Sequence, residues 1–170
     1  MNYVGGKDKH HDSCIFCQLN SATAADDGTN LIARSSHSFA VLNRYPYTYG
    51  HTMIVPFEHV SSPEDLQTAA LNDLAVMTNR VMRVLRDVAD PPAFNIGANI
   101  GAAAGAGIAA HYHFHVVPRW PGDANFMVTV GGTQTVPDSL ANIHQRMHAS
   151  WKELFGSTMD EERSKSPSGT

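Results

Sequence analysis

The chain has 170 residues, 42% of them hydrophobic, and a formal net charge of −4. That length suits one domain with a real hydrophobic core and leaves little room for a second. The acidic balance excludes a protein that wraps a nucleic-acid duplex, which needs a basic face, and no apolar run is long enough to span a membrane.

Residues 1–12 are polar and are expected to be a flexible N-terminus. The opening Met1-Asn2-Tyr3-Val4-Gly5-Gly6 has no cationic flank ahead of an apolar core. No signal peptide is visible, so a cytoplasmic location is expected. Cys14 and Cys17 are the only cysteines. One Cys-x-x-Cys pair is not a secreted disulfide framework. By itself it leaves redox chemistry and half of a metal site open.

Short β-type runs follow at Asn30–Arg34 and Phe39–Asn43, separated by a polar turn at Ser35 and Ser36. Arg44–Gly50 holds Pro46 and three tyrosines and reads as a loop, and His51–Phe57 as a third strand. Ser62-Pro63-Glu64-Asp65 has the form of a helix start: a capping serine, proline at the first position, acids in the first turn. Leu71, Leu74, Met77, Val81, Val84, Leu85 and Val88 then recur at steps of three and four, which is one apolar stripe on a long helix. Asp90-Pro91-Pro92 ends it.

A fourth strand is expected over Ala93–Ile100, a Gly/Ala-rich loop over Gly101–Ala110 and a fifth strand over His111–Arg119. Phe126–Val130 is a further edge-strand candidate. A second helix is expected over Asp138–Phe155, with Leu140, Ile143, Met147, Trp151 and Leu154 on one side. Gly156 to Thr170 is rich in Ser, Gly and charge and is expected to be a disordered tail, which leaves residues 13–155 as the domain. The order of strands and helices predicts an α+β domain with a mostly antiparallel five-stranded sheet and two main helices.

The run His111-Tyr112-His113-Phe114-His115-Val116-Val117 carries the most chemistry. Side chains alternate faces along a strand, so its three histidines share one face at roughly 7 Å intervals. At that spacing they cannot all ligate one metal, but they can line a groove. An imidazole is a good nucleophile toward phosphorus and a good leaving group from it. The Gly/Ala-rich loop beside it could let backbone N–H groups approach an anion. His37, His144 and His148 show no partner pattern, and His10 and His11 belong with the N-terminal tail.

This run closely resembles the signature of the histidine-triad (HIT) family. The resemblance extends to Cys14-Ile15-Phe16-Cys17, to Leu42-Asn43-Arg44-Tyr45-Pro46 and Gly50–Pro56, to Asn99 with its Gly/Ala loop, and to Val117-Pro118-Arg119-Trp120 with Gly122–Phe126. The last of these resembles the branch of diadenosine-polyphosphate hydrolases and phosphorylases. The resemblance implies that His113 forms a covalent nucleotidyl intermediate and that His115 donates to phosphate oxygens. It implies that Asn43 binds the ribose, that Asn99 and the loop with Gly105 and Gly107 lie on the phosphate side, and that His51 stands near the site. It further implies a structural zinc held by Cys14, Cys17, His59 and His111, a nucleotide substrate, and a homodimer joined edge to edge into a continuous sheet. Many relatives carry a Gln or Ser followed by Ser or Thr just before the triad strand. Here Gly107 and Ile108 stand there, so phosphate support must come from backbone groups or elsewhere.

The implied function is cleavage of dinucleoside polyphosphates such as diadenosine tetraphosphate. A nucleoside phosphoramidase acting on AMP–amine conjugates, a non-catalytic nucleotide- or zinc-binding module, and a Cys-x-x-Cys oxidoreductase are the rivals.

Overall fold

The structure, a computed structural model, describes residues 14–21, 29–123 and 138–156. The edge strand expected at Phe126–Val130, the flexible start over residues 1–12 and the tail beyond Gly156 lie outside the described residues.

Five strands form one antiparallel sheet: β1 Leu31–Arg34, β2 Ser38–Leu42, β3 Thr52–Pro56, β4 Ala93–Gly97 and β5 Phe114–Arg119, in the order β1-β2-β3-β5-β4. Three helices accompany them: α1 Ile15–Ser21, α2 Thr68–Ala89 and α3 Leu140–Phe155. This is the expected α+β architecture with two long helices, plus one short helix that the sequence reading left out. Among the described residues, no helix is long and apolar enough to cross a membrane.

The sheet is covered differently on its two faces, and the alternation of side chains sets the division. Ala40, Leu42, Ile54 and Val116 pack with Leu74, Met77, Val81, Leu85, Ile143, Met147 and Trp151 of α2 and α3. Full burial of each large side chain contributes about 1.5–3 kcal/mol, so this layer holds most of the core. The neighbouring positions Phe39, Val41 and Val55 form a smaller cluster with Leu31, Cys14, Phe16 and Cys17. His113 and His115 alternate with Phe114 and Val116, which places them on the α1 side of the sheet.

Several boundaries differ from expectation. The helix does not start at Ser62: Pro63–Asp65 forms a single 3-10 turn and α2 begins at Thr68. Ser62 makes no side-chain cap bond to the backbone and instead bonds the Glu64 carboxylate. Leu71 and Leu154 belong to the apolar patterns yet are 39% and 37% exposed, while Ala70 and Ser150 are buried on the core sides of α2 and α3. The helix termination holds, with Asp90 in a left-handed conformation (φ 42°) donating its N–H to Arg86 O. Ser139 caps α3, accepting from the Asn142 N–H.

Two strands are shorter than predicted. β5 begins at Phe114 rather than His111, because the preceding segment bonds elsewhere: Tyr112 N–H donates to Val60 O and His111 Nε2–H to Pro56 O. His111 therefore leaves the strand before the triad face is complete. β4 ends at Gly97 rather than Ile100, where its pairing with β5 ends opposite His115.

His144 and His148 are structural. Their ring nitrogens donate to the carbonyls of Leu31 (2.6 Å) and Ile32 (3.1 Å) on edge strand β1.

Candidate functional site

Cys14 and Cys17 flank the start of α1, and His59 and His111 come from the two segments that meet beneath it. The four ligand atoms lie within 4.8 Å of one another. Cys14 Sγ is 3.4 Å from His111 Nδ1, and Cys17 Sγ is 3.6 Å from the same atom and 3.1 Å from His59 Nδ1. A tetrahedral zinc with ordinary bond lengths has sulfur–nitrogen edges of about 3.5 Å, so the donor set fits that ion. The His111 tautomer fits too. Its Nε2–H donates to Pro56 O at 3.0 Å, which leaves the Nδ1 lone pair facing the sulfurs. With no cation, burial and the adjacent Cys14 push the Cys17 thiol up to about 11. A dication would reverse that balance.

His111 also reaches the second half of the site through its backbone. His113 Nδ1–H donates to His111 O at 2.8 Å. That fixes the neutral tautomer and leaves the Nε2 lone pair of His113 available as a nucleophile. Phe16, the residue before Cys17, packs on both rings, with centroids 5.4 Å from His111 and 5.0 Å from His113.

A chain of hydrogen bonds sets the remaining tautomers. The backbone N–H of Tyr47 donates to His51 Nδ1 at 3.1 Å, and the Asn43 amide approaches the same nitrogen at 3.3 Å. Neutral His51 must then carry its proton on Nε2, which donates to His115 Nδ1 at 2.9 Å. His115 in turn keeps its proton on Nε2, where it can be given to a ligand oxygen. The two triad rings thus present opposite chemistry: a lone pair on His113 and a donor on His115.

Burial lowers the pKa of all three histidines, so they are neutral at pH 7. The bond to His111 O partly opposes the shift at His113, and the neighbouring His113 adds to that at His115. For His51, burial acts first and the fields of His115 and His113 add to it, bringing it to about 3. An unfolded chain takes up this proton near its ordinary value of about 6.5. The contribution of neutral His51 is therefore complete above pH 6.5 and is lost as the pH falls from there toward 3. The loss reaches at most about 1.4 kcal/mol per pH unit for one proton. Urea midpoints of the wild type should drop more steeply between pH 7 and 5 than those of His51→Gln. Parallel curves would contradict this.

A cavity of about 500 Å³ opens beside these rings. Its wall brings together Asn43, Asn99, Gly105, Gly107, His113 and His115. His51 stands behind His115 rather than in the wall, and acts on the cavity through that ring. The apolar part comes from Ile15, Phe16 and Leu19 of α1 with Val41 and Ile108. Gly105 adopts φ 84°, and its N–H closes on Ala102 O while that of Ala106 closes on Gly101 O. These two donors are engaged inside the turn, and the His115 ring in the cavity wall offers its Nε2–H to an anion.

The sequence reading missed α1 as a wall and Tyr47 as a positioning group. Tyr47 sits in the Pro46 loop, its ring 4.6 Å from that of His51 and 6.1 Å from that of His115. Its place between aromatic neighbours in that loop was the available signal. Gly50, just before His51, adopts φ 73°, and any Cβ there would lie 2.6 Å from Leu85 Cδ2 of α2. Only glycine lets this turn press the His51 strand against the helix.

Comparison with known proteins agrees with this geometry. The HIT domain family model matches residues 25–122, more than half of the chain. An AP-4-A phosphorylase of Mycobacterium tuberculosis is 41% identical over 127 residues, covering 75% of this chain and 65% of that protein. A Schizosaccharomyces pombe bis(5'-nucleosyl)-tetraphosphatase (asymmetrical) is 32% identical over 96 residues, 56% of this chain and 52% of that protein. The chain thus spans less than two-thirds of the length of either relative. A crystal structure of a Zn-bound histidine triad family protein from Mycobacterium smegmatis superposes with a TM-score of 0.69 at 27% identity, over 85% of this chain and 96% of that one. The chain belongs to the HIT-domain family.

Proposed function

We propose that the protein cleaves dinucleoside polyphosphates such as diadenosine tetraphosphate, with His113 as the nucleophile. One observation carries this. The His113 ring is locked with Nδ1–H on a carbonyl and lines a nucleotide-sized cavity together with His115, Asn43 and Asn99. In the first step the Nε2 lone pair attacks the α-phosphorus, a P–N bond forms and the bond to the departing phosphate oxygen breaks. In the second, water or inorganic phosphate attacks the same phosphorus and the electron pair of the P–N bond returns to Nε2. His115 Nε2–H donates to the phosphate oxygens in both steps. Asn43 holds the ribose, Asn99 lies on the phosphate side with the Gly105–Gly107 loop, and the apolar α1 wall receives the base. The names of the phosphorylase and tetraphosphatase relatives support this substrate class.

Cys14, Cys17, His59 and His111 would hold a structural zinc, as the Zn-bound relative encourages. Bound there, the ion supplies four bonds that tie α1 to the segments carrying His59 and His111. Reduced thiols in this role suit a cytoplasmic protein. Two copies would pair through edge strand β4, on which Ile96 is 45% exposed and just beyond which Ile100 is 48% exposed. Light scattering should give twice the chain mass, and a monomer at micromolar concentration would refute the pairing.

The deciding assay is product analysis on a panel of dinucleotides and an AMP–lysine conjugate, with and without inorganic phosphate. Diadenosine tetraphosphate should be the better substrate. ADP appearing only when phosphate is added marks phosphorolysis, and AMP without it marks hydrolysis. Preference for the conjugate would make the protein a phosphoramidase. No turnover and no nucleotidyl-protein with any substrate would make it a binding module.

A further inference from the structure

A second cavity, of about 480 Å³, meets the first at the triad. Tyr47, Asn99 and His115 line both cavities and form the divide between them, whereas His113 lines only the first. The far wall is built from Thr48, Asn95, Gly97, Arg119 and Asp123. We propose that this second cavity seats the departing half of the substrate, a nucleoside phosphate or polyphosphate, and that Arg119 is its anion-binding residue. The proposal rests on the nucleotidyl-transfer reading above and deepens it: it makes the second nucleotide a recognised part of the substrate.

Displacement at phosphorus puts the attacking and leaving atoms roughly in line. With His113 and the retained nucleoside on the first cavity, the leaving oxygen departs away from His113, and the ring of His115 borders the space beyond. The volume falls within the roughly 300–1,000 Å³ usual for small-ligand sites, so the space suits more than a small amine or alcohol.

Arg119 is held in place before any ligand arrives. Its Nε and Nη2 donate to the two Asp123 carboxylate oxygens at 2.6 and 2.7 Å, and its Nη1 to Asn95 Oδ1 at 2.6 Å. These bonds hold the planar fork in one orientation, so less freedom is lost when it meets a phosphate. The side chain remains 39% exposed and is therefore within reach of a ligand. Among the described residues, no other Lys or Arg lines this cavity. Asp123 offsets the charge of Arg119, which makes the site directional rather than a general sink for polyanions.

Two variants test this. A Cβ at Gly97 would meet nothing within 4 Å in its own chain, so Gly97→Phe fills the cavity without displacing backbone, and light scattering must give it the wild-type mass because Gly97 ends the β4 edge of the proposed dimer. Arg119→Met removes the fork and keeps the stem. kcat/KM is measured on diadenosine tetraphosphate and on the p-nitrophenyl ester of AMP, whose leaving group is small. Both variants should lose about 10-fold or more on the dinucleotide and change by much less on the ester. Equal losses on the two substrates, an undiminished dinucleotide rate, or a wild type that cleaves the ester but not the dinucleotide would each overturn the proposal. A wild type inactive on both substrates would instead defeat the nucleotidyl-transfer reading. Calorimetry with a non-hydrolysable dinucleotide and with AMP then decides the cavity separately. The variants should weaken the dinucleotide about 10-fold and leave AMP unchanged, and unchanged dinucleotide affinity would overturn the proposal.

Discussion

His113→Ala is expected to lower turnover of diadenosine tetraphosphate by about 10³-fold or more, the order seen when a covalent nucleophile is removed. Two features of the site set this size. Of the two triad rings that line the cavity, His113 alone presents an unprotonated Nε2, since His115 carries its proton on Nε2 while its Nδ1 accepts from His51. No neighbour therefore offers a substitute lone pair at the same place. Nucleotide affinity should change little, because Asn43, Asn99 and the α1 wall remain. Mass spectrometry of wild type quenched in alkaline denaturant, in which a P–N bond survives, should show one nucleotide added to the peptide containing His113, and the variant should show none. A variant with an unchanged rate would sink the assignment.

Removing the zinc proposed at Cys14, Cys17, His59 and His111 should have the second largest effect, on stability and on catalysis together. A strong chelator, or Cys17→Ser, opens the link between α1 and the His59 and His111 segments. Losing a cross-link of this kind costs a small domain about 2–5 kcal/mol. At about 2–4 °C per kcal/mol for a domain of this size, the unfolding temperature should fall by about 5–15 °C. Chelation should then have little further effect on Cys17→Ser. Metal analysis should find one zinc per chain in the wild type. A metal-free protein with a reversible Cys14–Cys17 disulfide would favour the oxidoreductase rival.

What the sequence made legible follows from the range of each signal. The alternation of His113, Phe114, His115 and Val116 is a local period of two, and it assigned faces that the sheet keeps. The stripe from Leu74 to Leu85 is a local period of three and four, and it found α2. The two ends of α2 differ because Asp90-Pro91-Pro92 forbids continuation, whereas Ser62-Pro63 only permits a start. Helix α1 has seven residues and buries only Phe16 and Cys17, too little pattern for a periodic reading. The cysteine pair was visible as a pair, but His59 and His111 lie 42 and 97 positions from their sulfur partners. Spacing could not join them, and only the family resemblance named them. The second cavity was illegible for a similar reason: Arg119 and Asn95 meet only because β4 and β5 pair.

His111 has two functions in two different parts of one residue. Its imidazole faces the cysteines and its carbonyl holds the nucleophile. The carbonyl survives every substitution at this position, so mutagenesis can vary the grip on the metal while the acceptor for His113 keeps its chemical identity. What changes is where that acceptor sits. A graded set of side chains at position 111 would thus act as a dial on the direction of one hydrogen bond, and the nitrogen chemical shifts of His113 would report its setting from inside the protein.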